Sequence, residues 1–252
     1  MLRTVLLQLI HCLLGLGVFL RQIIFQFPLA YSVLGKKTAI TKIRSDAKSL
    51  KKLPLHVGVV VVENEYSYSD LANIIVWSVA FGISYISVYD INGEIKRNSF
   101  LLQSEVQKSK EHILASDQNK FDVDFHSKNS SEKKDGGCSN IKQIRVRLLS
   151  LNDGRQNLVE MTQSLSKLVA GHQYRLEDIV PSTVDALLQD AHKFPDPDLV
   201  LRCGPVDSLL GYLPWEIRLS EILSISSHWN ISYKTYLSLV SAYGDTTQRF
   251  GK

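Results

Sequence analysis

The 252-residue sequence predicts an α/β fold: a mostly parallel central sheet flanked by helices, preceded by an N-terminal membrane anchor. Three stretches carry that reading. Val57–Val62 is β-branched throughout apart from Gly58, as a strand covered on both faces requires. Ala72, Ile75, Val76 and Val79 then recur at i, i+3, i+4 and i+7, which gives a helix one apolar face. Ile83–Tyr89 supplies a second β-rich run. Two buried strands joined through a helix make a right-handed crossover, and hence parallel pairing.

The N-terminal end is apolar. Thr4–Leu20 is 17 residues without a formal charge; as a helix it spans about 25 Å, just short of a hydrocarbon core of roughly 30 Å. Arg21 interrupts, and Gln22–Gly35 resumes with Pro28 as a breaker. No small-residue cleavage site of a signal peptide follows, and apolar residues on every face disfavour a core helix. Residues 1–35 are therefore an anchor, crossing once or dipping and returning. From Lys36 to Lys52 there are seven basic residues against one acid, Asp46, while only Arg3 precedes the apolar run. That asymmetry places the following domain on the cytosolic side, with residues 36–53 a basic linker able to touch anionic headgroups. Cys12, Cys138 and Cys203 are widely spaced, giving neither a metal motif nor a disulfide framework. The net charge of +4 argues against a dedicated nucleic-acid binder.

The domain then occupies residues 54–252. Ser69 is placed to cap a helix beginning at Asp70, which Gly82 ends. Glu94–Ala115 mixes apolar and charged residues at helical spacing. Residues 116–140 turn to Asp, Ser, Asn, Lys and Gly and are expected to form a mobile loop. Asn129 and Asn230 head glycosylation sequons that stay unmodified on a cytosolic domain. Ile141–Leu151 restores strand alternation, with Ile144, Val146 and Leu148 on one side and Arg145 and Arg147 on the other, toward solvent or an active site. Leu158, Met161, Leu165 and Leu168 mark a helix ending near Gly171, and Ser182–Ala191 a further helix capped by Ser182. Leu199–Leu201 is a short buried strand with Arg202 at its carboxyl end, where ligands bind in open parallel sheets. Ser232–Thr247 is a last helix, with Tyr233, Tyr236, Leu237 and Val240 on a face suited to a core or a dimer surface.

His56, the strand after it and Asn64 resemble the opening of the cis-prenyltransferases, the undecaprenyl and dehydrodolichyl diphosphate synthases. Their pattern is His, a hydrophobic strand, then Met-Asp-Gly-Asn-Arg. Val62 stands at the position of the catalytic Asp and Glu63 at the Gly. Valine can neither hold a metal nor carry a proton. Arg202, Trp215 and Glu221 keep the spacing of the family's C-terminal motif, in which the resemblance implies a diphosphate-binding Arg and a magnesium-binding Glu at Arg202 and Glu221. Ser208 and Leu210 replace its second Arg and its Ser, so that diphosphate pocket is incomplete and Arg202 is equally suited to a structural ion pair.

These losses resemble those of the catalytically silent accessory subunits of the family. The resemblance implies a heteromer at the endoplasmic-reticulum membrane, the large domain cytosolic. A catalytic cis-prenyltransferase partner would hold Mg2+ and extend farnesyl diphosphate with isopentenyl diphosphate, for dolichol synthesis and protein glycosylation. In such subunits a C-terminal Arg-x-Gly reaches into the partner to hold isopentenyl diphosphate. Here that motif is Arg249 and Gly251, a permanent charge and a backbone N–H free to approach phosphate. Two alternatives stand beside this reading: a receptor or scaffold on a catalytically dead fold, and an autonomous transferase using Glu63 and Glu221 with magnesium.

Overall fold

The computed structural model describes residues 36–126, 142–192 and 194–247. The expected anchor at 1–35, Cys12, Cys138, the Asn129 sequon, and Arg249 and Gly251 lie outside the described residues. Among the described residues no helix is long and apolar enough to cross a membrane.

The chain enters as α1 (Lys36–Ser49), followed by β1 (His56–Val61), α2 (Tyr68–Phe81) and β2 (Tyr85–Asp90). The short α3 (Glu94–Arg97) and then α4 (Ser99–Ile113) divide the stretch expected as one helical segment. They lead to β3 (Phe121–His126) and β4 (Lys142–Leu149). Helices α5 (Arg155–Ala170) and α6 (Pro181–His192) precede β5 (Leu199–Cys203), β6 (Glu221–Ile225) and α7 (Tyr233–Asp245). The six strands form one sheet in the order β3-β4-β2-β1-β5-β6, every neighbouring pair parallel. The predicted fold class is therefore correct for the sheet and its flanking helices.

Four local expectations need correction. The basic stretch from Lys36 is the helix α1, with Ile40, Ile43 and Ala47 buried in the main core at helical spacing. The 116–140 stretch is not wholly a loop, because β3 runs through it. Phe121, Val123 and Phe125 alternate there with Asp122 and Asp124, and parallel pairing with β4 satisfies the backbone that composition alone assigns to solvent. Ser67, two residues before the expected cap, accepts from the Asp70 N–H and starts α2 at Tyr68. Pro181 takes the first position of α6, where its missing N–H costs nothing.

Register divides the sheet residues between two faces. Val57, Val59 and Val61 align with Ile86, Val88, Val146, Leu148, Leu199, Leu201 and Cys203 on one face, packed beneath residues of α1, α2, α4 and α7. Ten of the fourteen α2 residues are buried, so that helix sits between the sheet and its neighbours rather than at the surface. The other face carries Val60, Val62, Tyr89, Leu149 and Val200, covered mainly by Tyr212 and Leu213 from the segment between β5 and β6.

Tyr212 lies directly over Gly58, where a Cβ would collide with the phenol hydroxyl. Asp198 pins the two strand starts together, accepting the Leu55 and His56 N–H groups at 2.7 and 3.0 Å. Gly58→Ala should therefore displace Tyr212 and destabilise the fold by about 1–3 kcal/mol, as overpacked cores do. Urea unfolding checks it: a variant as stable as the parent would mean that Tyr212 is free to move aside.

Candidate functional site

In an open parallel sheet, the ligand crevice lies beyond the carboxyl ends of the strands where successive connections diverge. Here that point is between β1 and β5, since β1 connects toward β2 on one side and β5 toward β6 on the other. Three loops meet there: Val62–Ser67 after β1, the stretch from Gly204 after β5, and Ser226–Trp229 after β6.

The Val62 N–H donates to the Cys203 carbonyl at 2.7 Å, extending the ladder one residue beyond β1. Its side chain is 8% exposed and packs in the apolar cluster with Val60, Tyr89 and Leu213. Gly204 faces it with φ +128°, and a Cβ there would stand 2.6 Å from the Val62 carbonyl oxygen. Only glycine lets the two loops approach so closely. Val62 thus makes an apolar contact at the mouth of the crevice.

Glu63 is neither a free catalytic carboxylate nor a solvated one. Its Oε2 accepts from Ser227 Oγ and its Oε1 from the His228 N–H, both at 2.9 Å. The fully buried His228 ring accepts the Ser67 N–H on Nε2 at 2.8 Å, which puts its proton on Nδ1, 3.1 Å from Glu63 Oε1. The carboxylate therefore clasps the β1 and β6 loops together.

Arg202, at the β5 end, is ion-paired with Asp207 and donates to Ser224 Oγ at 2.7 Å. Its buried Nε has no hydrogen-bond partner among the described residues. Glu221 is not brought near it. Glu221 opens β6 in register with Leu199, whereas Arg202 pairs with Ser224 three residues on, so the carboxylate starts roughly 10 Å back along the strand. No group of three His, Cys, Asp or Glu side chains among the described residues is arranged to hold a metal ion. The donor set left by Val62, the engaged Glu63 and the distant Glu221 does not fit magnesium.

Sequence reasoning missed the polar groups that hold this region. Asp90, at the β2 end, is buried; it accepts from the Glu94 and Ile95 N–H groups at 2.7 and 3.2 Å and starts α3. Burial pushes its carboxyl upward, an effect those backbone donors oppose. Trp215 donates through Nε1 to Asp185 of α6 at 2.6 Å, and Arg218 reaches the same oxygen. Leu210 and Leu213 hold positive φ, with Tyr89 donating to the Leu210 carbonyl at 2.6 Å. Such strained residues persist only when their surroundings over-determine them.

A second hollow of about 430 Å³, counting its open mouth, lies on the Tyr212 face and is lined by His56, Arg147, Phe194, Trp215 and Glu216 among others. Arg147 is buried there rather than solvent-facing, because parity in β4 aligns it with Ser87 and Gly58. Burial lowers its pKa, and Asp153 and Glu216 oppose that. His56 Nδ1 donates to the Pro195 carbonyl at 2.7 Å, which leaves Nε2 to accept from Ser87 Oγ at 2.8 Å. Ser87 in turn accepts from the Tyr212 hydroxyl at 2.8 Å. This thread fixes a neutral imidazole, and burial lowers its pKa from 6.5 to about 4.

Two consequences are measurable. Between pH 6.5 and 4 the unfolded chain binds a proton at His56 that the folded chain refuses, so stability is lost as pH falls through that window. The loss is at most about 3 kcal/mol, and urea titrations of the parent against His56→Asn should show it as a difference in slope. Equal slopes would remove the buried neutral histidine. Glu63→Ala should lower stability by about 1–3 kcal/mol by leaving the loop donors unpaired. Unchanged stability on denaturation would mean the clasp does not hold the loops.

Comparison with known proteins follows the same lines. A family model described as putative undecaprenyl diphosphate synthase matches residues 115–251. The dehydrodolichyl diphosphate synthase complex subunit Nus1 of Mus musculus is 44% identical over 211 residues, spanning 83% of this chain and 69% of that protein. The subunit of that name in Schizosaccharomyces pombe is 26% identical over 214 residues, spanning 83% and 81%. Among solved structures, lavandulyl diphosphate synthase from Lavandula x intermedia, in complex with dimethylallyl diphosphate, aligns with a TM-score of 0.55 at 17% identity. That alignment covers 79% of this chain and 99% of that one, and speaks to the fold alone. By sequence and by sheet architecture, the chain belongs to the undecaprenyl diphosphate synthase family of prenyltransferases.

Proposed function

We propose that this chain is a catalytically silent subunit of a heteromeric cis-prenyltransferase that makes dehydrodolichyl diphosphate. It supports elongation of farnesyl diphosphate by isopentenyl diphosphate on a catalytic partner, for dolichol synthesis and protein glycosylation. Mg2+ belongs to the partner's site. Residues 1–35 anchor the complex in the endoplasmic-reticulum membrane, the large domain facing the cytosol and the basic residues after the anchor meeting lipid headgroups.

The observation that carries the reading is the crevice itself, with Val62 buried among apolar side chains and Glu63 engaged by Ser227 and His228. A crevice so built offers no base and no cation ligand to a diphosphate. The relatives named as subunits of the dehydrodolichyl diphosphate synthase complex support a shared assembly.

Two further features support a role exerted on a partner. Among the described residues β6 is an edge strand, and beside it Ile222 and Trp229 are 42 and 44% exposed. An open apolar edge invites another chain. In addition, α7 runs back from the carboxyl to the amino ends of the strands, where Gly244 lies against Lys52, ahead of β1. In this reading Arg249 and Gly251, which follow α7 in the sequence, hold the diphosphate in a site supplied by the partner.

Incorporation of radiolabelled isopentenyl diphosphate tests the proposal, using this chain alone, with a catalytic cis-prenyltransferase subunit, and with that subunit plus tail variants. We expect no product alone, strong synthesis together, and a loss of about 10²-fold with Arg249→Ala or deletion of Gly251, as for removal of one charge-stabilising donor. Full activity with the tail variants would favour a scaffold or receptor on a dead fold. Product from this chain alone would overturn the argument from Val62.

A further inference from the structure

The loop from Ser226 to Asn230 joins β6 to α7, and it rests on a base that the end of β1 and the start of α2 supply. Glu63 accepts from Ser227 Oγ and from the His228 N–H, and the Ser67 N–H donates to the His228 ring. Further along, the Trp229 N–H donates to Ser227 Oγ and the Asn230 N–H to Asp70 Oδ2, both at 3.0 Å. Asp70 is itself steadied by the Ser67 hydroxyl at 2.6 Å. Each N–H from His228 to Asn230 therefore has a partner, and Asn230 takes the left-handed backbone region at φ +53°.

That base does not bury all it carries. His228 is fully buried, whereas the next residue, Trp229, is 44% exposed, its indole tilted against the imidazole with the ring centres 5.7 Å apart. Ile222 of β6, an edge strand among the described residues, is exposed as well. A single exposed apolar side chain needs no explanation. A half-exposed Trp fixed on a bonded loop, beside an open strand edge, has the build of an interface anchor.

The charge around the indole says what it meets. Glu63 and Asp70 spend their oxygens on Ser227, His228, Ser67 and Asn230, none of them a cation. Glu65 is exposed and lies between Glu63 and Ser67, which both bond the residue next to Trp229. Arg202 and Lys96, at neighbouring strand ends, are paired with Asp207 and Asp153. Lys234, exposed in the first turn of α7, offsets part of the negative charge. Carboxylates in this place repel a diphosphate and attract a basic surface. An indole beside carboxylates suits a guanidinium above all, because its plane stacks on the ring while its N–H groups reach an oxygen.

We infer that Trp229 and Glu65 form a docking site for an arginine-bearing surface of the catalytic subunit, on a loop held outward by Glu63, Ser67 and Asp70. The inference rests on the heteromer reading given above and names the chemistry by which the two chains recognise one another. Because the loop is bonded before the partner arrives, docking costs little ordering entropy.

The test measures association of the full-length, detergent-solubilised chain with the full-length catalytic subunit by interferometry, at about 0.05 and 0.5 M NaCl. We expect Trp229→Ala to weaken binding by about tenfold or more, mainly by faster dissociation. Trp229→Phe keeps a ring for the cation and should recover most of that loss. Glu65→Lys should slow association by about three- to tenfold at low salt, a difference that fades at high salt. Phe100→Ala removes a side chain 77% exposed on α4, away from this loop, and should bind as the parent does. Glu65→Lys alters an exposed side chain, so it tests the site even where Trp229→Ala disturbs the fold, which melting temperatures reveal.

Parental binding by both Trp229→Ala and Glu65→Lys, or an equal loss with Phe100→Ala, would overturn the docking site and leave the heteromer standing. Loss of self-association with binding to the subunit unchanged would assign the site to a second copy of this chain and overturn it likewise. A parent chain that does not bind the catalytic subunit would overturn the heteromer reading and this site together.

Discussion

Strand β1 is paired on both edges and covered on both faces, and the rest of the molecule is arranged around meeting those four demands. A parallel strand in that position has no solvent to fall back on, so each face needs its own cover. The helices α1, α2, α4 and α7 supply one cover with ordinary apolar packing. The other comes mainly from the irregular segment between β5 and β6, which inserts Tyr212 and Leu213. Such a segment brings polar groups into the interior, and those groups need partners. Gly58 provides the room, while Ser87 and His56 provide the hydrogen bonds.

The same requirement explains what has become of the crevice. The loops at the crevice engage several of their polar groups internally, although the buried Arg202 Nε has no hydrogen-bond partner among the described residues. Glu63 is taken by Ser227 and His228, and Arg202 by Asp207 and Ser224. Val62 joins an apolar cluster. Such pairings matter because a buried charge without a partner costs several kcal/mol.

The β6 edge and the end of α7 leave the sheet on sides where another chain can meet them. The packing of residues 46–52 along α7 links the first described helix of the chain to the last.

Periodicity determined a good part of this protein from the sequence alone. The β-branched run of β1, the helical apolar spacing of α2 and the aromatic stripe of α7 are local patterns, and local sterics and burial read them in any context. That Val62 brings no carboxylate was equally legible, since a side chain without oxygen cannot ligate or titrate wherever it lies. Tertiary structure decided what depends on register and on neighbours distant in sequence. β3 is polar enough to pass for a loop until β4 pairs with it, and β6 had no clear pattern because both its faces are only partly covered. Arg147 became interior through the parity of β4, and Glu221 was separated from Arg202 by three residues of β6. Motif spacing counts residues along one chain, whereas a site is made across several strands, and only their pairing sets which side chains meet.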